Sequence, residues 1–384
     1  MPVPPLPLEL IRLILDHLAT PFTGSSITPR DASLLPLATV CKAWRDVVLD
    51  VVFSKVDIGQ GDLDYLVPEL VKRPDILDRI RHLSVEVAVV EDADQIDQAR
   101  RFIQPGPDDI LVLLVKGAHK LVSLALDAVS PDFILLEAAA CSTSLARTLR
   151  RLEIKLTSLE PSTVPSSRTA WRLFSHFLSL KWLRVIYVGF ILQPKDVEYD
   201  DTSVSTGTLA LRRLEVCFGS ASEPMPGFVP WMLRQLRTDT LRTLVLADVG
   251  RLEDLSALSA HTNLISLAIV ATEDADLTGA FLAVIKAVPL CRKLRTLNMG
   301  KGSSSDTALK APLSLKTIFE ALPRANFVAE LSCFWRPSAD LVEPEPDKLH
   351  EALQYTGFVT TVHICIQPSR DQTEDYLPQL GEDY

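Results

Sequence analysis

The chain has 384 residues, 47% hydrophobic and 23% charged, which is enough for a large core and more than one domain. Lys plus Arg is 39 and Asp plus Glu is 49, so the formal net charge is -10. An acidic total argues against a general nucleic-acid binder, which needs cations to neutralise phosphates.

At the N-terminus the apolar residues Leu10, Ile11, Ile14, Leu15 and Leu18 recur at helical steps and predict a helix from about Leu8 to Leu18. Pro7 suits its start, where a missing N–H costs nothing, and Glu9 suits the positive end of its dipole. After Thr20–Arg30, read as a flexible excursion, comes a second apolar stretch, Leu34 to Trp44. It carries Pro36, which would cost about 3 kcal/mol inside an α-helix and therefore marks a first turn or a break.

Two signatures frame this region: Leu6-Pro7-Leu8-Glu9 and Val40-Cys41-Lys42-Ala43-Trp44. Together they resemble an F-box. The resemblance implies a small all-α module that docks on a Skp-type adaptor, and through it on a cullin ubiquitin ligase of the SCF type. It also implies adaptor contacts from among Leu6, Pro7, Leu8, Ile11, Ile14, Leu18, Val40, Cys41 and Trp44, some of which must instead hold the module together. Pro36 and the long excursion depart from the usual F-box pattern.

Beyond residue 52 the pattern apolar-x-x-apolar-x-apolar recurs, at Phe53, Val56, Ile58; Ile80, Leu83, Val85; Leu121, Leu124, Leu126; Leu149, Leu152, Ile154; Leu183, Ile186, Val188; and Leu211, Leu214, Val216. Further copies are Leu241, Leu244, Leu246; Leu264, Leu267, Ile269; and Leu294, Leu297, Met299, with weaker ones at Val328 and Val359. The spacings centre near thirty residues, and helical patterns such as Leu173, Phe177, Leu180 precede most copies. A strand and a helix repeated with one hand build a parallel sheet with outer helices. This part resembles a leucine-rich-repeat domain, although the Asn or Cys that regular repeats carry after the third apolar position is missing. F-box and degenerate repeats together resemble the large F-box class of mushroom-forming fungi. The expected division is an F-box module over 1–52, an irregular leucine-rich-repeat-like α/β solenoid over 53–366, and an acidic disordered tail over 367–384.

Alternation along the strands assigns the side chains that leave the core. The expected outward sets are Arg151, Glu153 and Lys155; Val185, Tyr187 and Gly189; and Arg213, Glu215 and Cys217. Arg151, Glu153, Tyr187, Arg213 and Glu215 are the candidate target-binding residues, since Arg forks suit acidic groups. Each Arg has a Glu two residues on, so a solvated, self-neutralising set is the favoured reading of the same charges. The polar segments Thr157–Ala170, Gln193–Thr208, Gly219–Gly227 and Gly300–Lys310 are the alternative target surface.

The six cysteines and seven histidines show no metal spacing, and no nucleophile elbow, Cys-His pair or nucleotide motif is present. Gly300-Lys301 lacks the glycine that a phosphate loop needs five residues earlier, where Arg295 stands. No catalytic residue, metal or cofactor is expected. Without a secretory signal or a spanning segment, the expectation is a soluble protein of the cytoplasm or nucleus that binds neither nucleic acid nor membrane. The expected function is a non-catalytic substrate-recognition subunit for protein degradation, with an unidentified target protein on the repeats. The alternative is a repeat-domain interaction protein with no role in ubiquitin transfer.

Overall fold

The computed structural model describes residues 7–18, 32–59, 62, 65–87, 110–128, 134–157, 167–188, 208–218, 228–249, 255–271, 293–301, 330–335 and 361–366. The chain forms two compact units, Met1–Met225 with Arg234–Thr240, and Pro226–Leu233 with Leu241–Tyr384.

The first unit opens with helix α1 (Leu8–Leu18), a 3-10 helix over Ala32–Thr39, and helix α2 (Lys42–Ser54). The Pro7 carbonyl accepts from the amides of Leu10 and Ile11, so the proline stands just ahead of the first turn. Pro36 lies inside the 3-10 segment, and a new α-helix begins only after Cys41. The apolar run Leu34–Trp44 is thus split, as a proline without an N–H donor requires.

Six strands follow in the same unit: β1 (Lys55–Ile58), β2 (His82–Val87), β3 (Ser123–Ala128), β4 (Arg151–Thr157), β5 (Trp182–Val188) and β6 (Arg213–Phe218). Each pairs in parallel with the next, in chain order. Between them stand α3 (Leu66–Val71), α4 (Pro74–Leu77), α5 (Ile110–Gly117), α6 (Ile134–Cys141), α7 (Thr143–Thr148) and α8 (Ser167–Phe174). Pro74 occupies a first-turn position in α4, and the Ser142 hydroxyl caps α7 by accepting from the Leu145 amide. At the end of α5, a Cβ on Gly117 would lie 2.7 Å from Leu77 Cδ1, so a side chain there would require Leu77 to shift.

The register stacks identical repeat positions. Leu83, Leu124, Leu152, Leu183 and Leu214 form one buried row; Val85, Leu126, Ile154, Val185 and Val216 form the next. Each such side chain contributes about 1.5–3 kcal/mol by leaving water. The residue before each of β2 to β5 repeats a backbone device: its carbonyl accepts from two consecutive amides of the next repeat. The Arg150 carbonyl takes the amides of Lys181 and Trp182 at 2.8 and 3.0 Å, and the Lys181 carbonyl takes those of Arg212 and Arg213 at the same distances.

In the second unit, α9 (Phe228–Arg234) is followed by β7 (Thr243–Val249), a 3-10 helix over Ser256–Ala260, β8 (Ser266–Ala271), β9 (Thr296–Lys301), β10 (Glu330–Trp335) and β11 (Thr361–Ile366). These strands are again parallel and in chain order. Both units are therefore α/β, with a solenoid-like succession of parallel strands and intervening helices.

One expected register is corrected. In β5 the buried residues are Leu183, Val185 and Tyr187, so the apolar triplet begins at Leu180 and not at Leu183. Tyr187, expected outside, is 1% exposed, stacked on Phe218 at 5.6 Å between ring centroids, and its hydroxyl accepts from Trp171 Nε1 at 3.4 Å. The strand misled because it is apolar on both faces, which let two phases of the pattern fit. The loop expected over Thr157–Ala170 is likewise shortened, since α8 begins at Ser167. Gly219–Gly227, residues 193–207 and 302–310, and the tail lie outside the described residues.

Candidate functional site

Two surfaces of the first unit gather the residues singled out in the sequence. The N-terminal one is built by α1, the 3-10 helix and α2. Ile11 and Leu15, one turn apart, pack with Leu34, Val47, Val48 and Val52 into a buried cluster, flanked by half-buried Trp44, Val51 and Phe53. Ile11 is 1% exposed, so it holds the module together and offers no surface. Trp44 divides its side chain between this core and solvent.

The opposite side of α1 is also apolar and is uncovered: Leu10, Leu13 and Ile14 are exposed, Leu13 by 68%. Leu8 is exposed at the helix start, and Val40, 62% exposed, and Cys41 are exposed where α2 begins. Leu10 and Leu13 were missed as surface candidates, because a helix apolar on both faces does not show which stripe is buried. Leu6 lies outside the described residues, and Leu18 is described only as part of the helix backbone.

This module is tied to the strands that follow it. Arg79, in the turn before β2, donates from Nη1 to the Asp46 carbonyl at 2.9 Å and to the Asp50 carboxylate, and from Nη2 to Asp46 Oδ1 at 3.2 Å. The Arg81 amide donates to the Ser54 carbonyl at 2.8 Å. No residue separates the end of α2 from the start of β1.

The second surface is the outward side of β4, β5 and β6. Register places Arg151 beside Trp182 and Trp182 beside Arg213; behind them Glu153, Arg184 and Glu215 form the adjacent row. Arg151 Cζ sits 3.7 Å above the centre of the Trp182 ring. Arg184 reaches Glu153 Oε1 at 3.0 Å and Glu215 Oε2 at 3.5 Å. Glu215 also accepts from Trp182 Nε1 at 2.9 Å and from Arg213 Nε, and its side chain is only 15% exposed. Arg151 and Glu153 approach to 3.8 Å, and Lys155 pairs with Asp127 at 2.9 Å.

Of the five residues expected here, Arg151, Glu153, Arg213 and Glu215 share one face and Tyr187 does not. Trp182 and Arg184 were missed because the shifted phase turned them inward. The signal was present: Leu180-Lys-Trp-Leu183-Arg-Val185 repeats the spacing of Leu211-Arg-Arg-Leu214-Glu-Val216. The network is a closed exchange of donors and acceptors, with no nucleophile–base pair. Two strands away, burial and then the charges of Arg151 and Lys55 hold the His82 imidazole below its ordinary pKa. Among the described residues no cluster of His, Cys, Asp and Glu could hold a metal ion, and no helix is long and apolar enough to cross a membrane.

Compared with known proteins, the chain matches no family model and no curated sequence.

Proposed function

We propose that this protein is a non-catalytic interaction subunit whose N-terminal helical module docks an adaptor of the Skp type while its repeats bind a target for ubiquitin-dependent degradation. The observation that supports the reading most is the double-faced helix α1. It buries Ile11 and Leu15 and leaves Leu10, Leu13 and Ile14 in water, within the segment framed by the two F-box-like signatures. An uncovered apolar stripe on a short helix loses free energy in solution that a partner would recover.

The test is a pull-down of purified Skp-type adaptor by the full chain. Leu13→Asp with Ile14→Asp places two charges on the exposed stripe and leaves Ile11 and Leu15 in place. Binding is expected to fall by about thirtyfold or more, as for loss of an interface anchor, with circular dichroism unchanged. An intact chain that fails to bind the adaptor would remove the degradation role. The charged face of β4–β6 would then support the second reading, a repeat-domain interaction protein outside any ligase.

A further inference from the structure

The residues immediately ahead of the strands in the first unit carry a pattern that the outward network does not absorb. Arg150, Lys181 and Arg212 precede β4, β5 and β6 in the same repeat position, linked through the paired-amide carbonyls described above. Arg150 and Arg212 are exposed and Lys181 is half-buried. Among the described residues none of the three has an ion pair or a side-chain hydrogen bond, although neighbouring arginines do. One position further on stand Arg151, face-down on Trp182, and Arg213. Arg81 begins the same row ahead of β2, after a gap at Val122.

Successive strands lie about 4.8 Å apart, so Arg150, Lys181 and Arg212 span about 10 Å along this leading edge. An extended peptide sets same-face side chains about 7 Å apart, so alternate carboxylates fall within reach of these long cations. The chain as a whole carries -10, so this concentration of positive charge is local and opposes the global field. Glu153 and Glu215 directly behind the edge disfavour a nucleic-acid backbone, which would lay phosphates across both rows.

We propose that the leading edge of β4–β6, through Arg150, Lys181 and Arg212 with Arg151 on its Trp182 shelf, binds an acidic peptide segment of another protein. If the repeats select a degradation target, this names the chemistry of what they select; the edge itself does not depend on adaptor docking.

The test uses the full chain and a fluorescent extended peptide of alternating Glu and Ser, followed by anisotropy at low salt. The variant Arg150→Gln/Lys181→Gln/Arg212→Gln is expected to weaken binding by about tenfold, the sum of three modest exposed charge contacts. Arg237→Gln, which removes an exposed arginine already paired with Asp239, is expected to leave it unchanged. Adaptor capture by the triple variant should match wild type, which separates this proposal from the adaptor reading. Equal affinity for an alternating Lys and Ser peptide, or no loss in the triple variant, overturns the proposal. Tighter binding of oligouridylate than of the acidic peptide overturns it in favour of nucleic acid. Binding that emerges only when Asp371, Glu374, Asp375, Glu382 and Asp383 are neutralised to amides overturns it in favour of the chain's own tail.

Discussion

Strands β4–β6 and β7–β8 bury leucine at the same repeat position and differ in the residues beside it. Leu152, Leu183 and Leu214 in the first unit, and Leu244, Leu267 and Leu297 in the second, hold the same repeat position. The next residue is Glu153, Arg184 or Glu215, each half-buried, in the first unit, whereas in the second it is half-buried Val245 or buried Ala268. The inward row is dictated by the need to fill a core at native density, and any polar atom there would be desolvated. The outward row is free of that constraint, so its divergence carries information about use. The first unit spends its outward positions on a connected charge network; the second fills them with small or uncharged residues such as Thr243, Val245, Ser266 and Thr296.

The largest effect should erase the difference between the units. Leu214→Ala and Leu244→Ala remove equivalent, fully buried side chains and should each cost about 2–5 kcal/mol in denaturant unfolding, through lost burial and a residual cavity. A near-wild-type midpoint for either would mean that its repeat is not packed as described. An intermediate effect should sharpen the contrast. Glu215→Ala strands the donors of Trp182, Arg184 and Arg213 and should cost about 1–3 kcal/mol, whereas Val245→Thr at the corresponding position should stay within about 0.5 kcal/mol. Equal costs would show that the network adds nothing beyond its neighbours.

The smallest effect concerns charge alone. The folded pKa of His82 lies below the unfolded value of about 6.5, so between the two the unfolded chain binds the proton more readily than the native one. Its contribution to stability is therefore complete above that value and is lost as the pH falls below it toward the folded pKa. Arg151→Gln removes the second of its causes, so the imidazole pKa followed by NMR should rise toward the ordinary range. A pKa that does not move would leave burial and the Lys55 charge as its causes.

The sequence revealed the inward rows well because Leu recurs there against polar neighbours, as in Leu211-Arg-Arg-Leu214-Glu-Val216. It failed where both faces are apolar. In β5, Trp182 and Ile186 on one side and Leu183, Val185 and Tyr187 on the other satisfy either phase, and the error turned Arg184 inward and Tyr187 outward. In α1, Leu10, Leu13 and Ile14 compete with Ile11 and Leu15, so the stripe that faces the core depends on α2 and the 3-10 helix. Helix α8 escaped because its first turn, Ser167-Arg168-Thr169, is polar and reads as loop. The charge network itself was half legible. Glu153 and Glu215 stood two residues from their arginines, but their shared partner Arg184 comes from an adjacent strand, and only register brings it between them.

The junction of α2 with β1 has a mechanical consequence. Helix and strand meet without a spacer, and Arg79 grips α2 at Asp46 and Asp50 from the turn before β2. The bearing of the exposed Val40–Cys41 corner toward the outward rows is therefore a matter of helical phase. Each residue inserted into α2 ahead of that grip would turn the corner by about 100° and advance it by about 1.5 Å. Inserting one alanine after Arg45 should swing the corner away from its bearing, and inserting a full turn should nearly restore the direction. A grip by one arginine on the middle of α2 thus makes the angle between the two surfaces a property written in residue count.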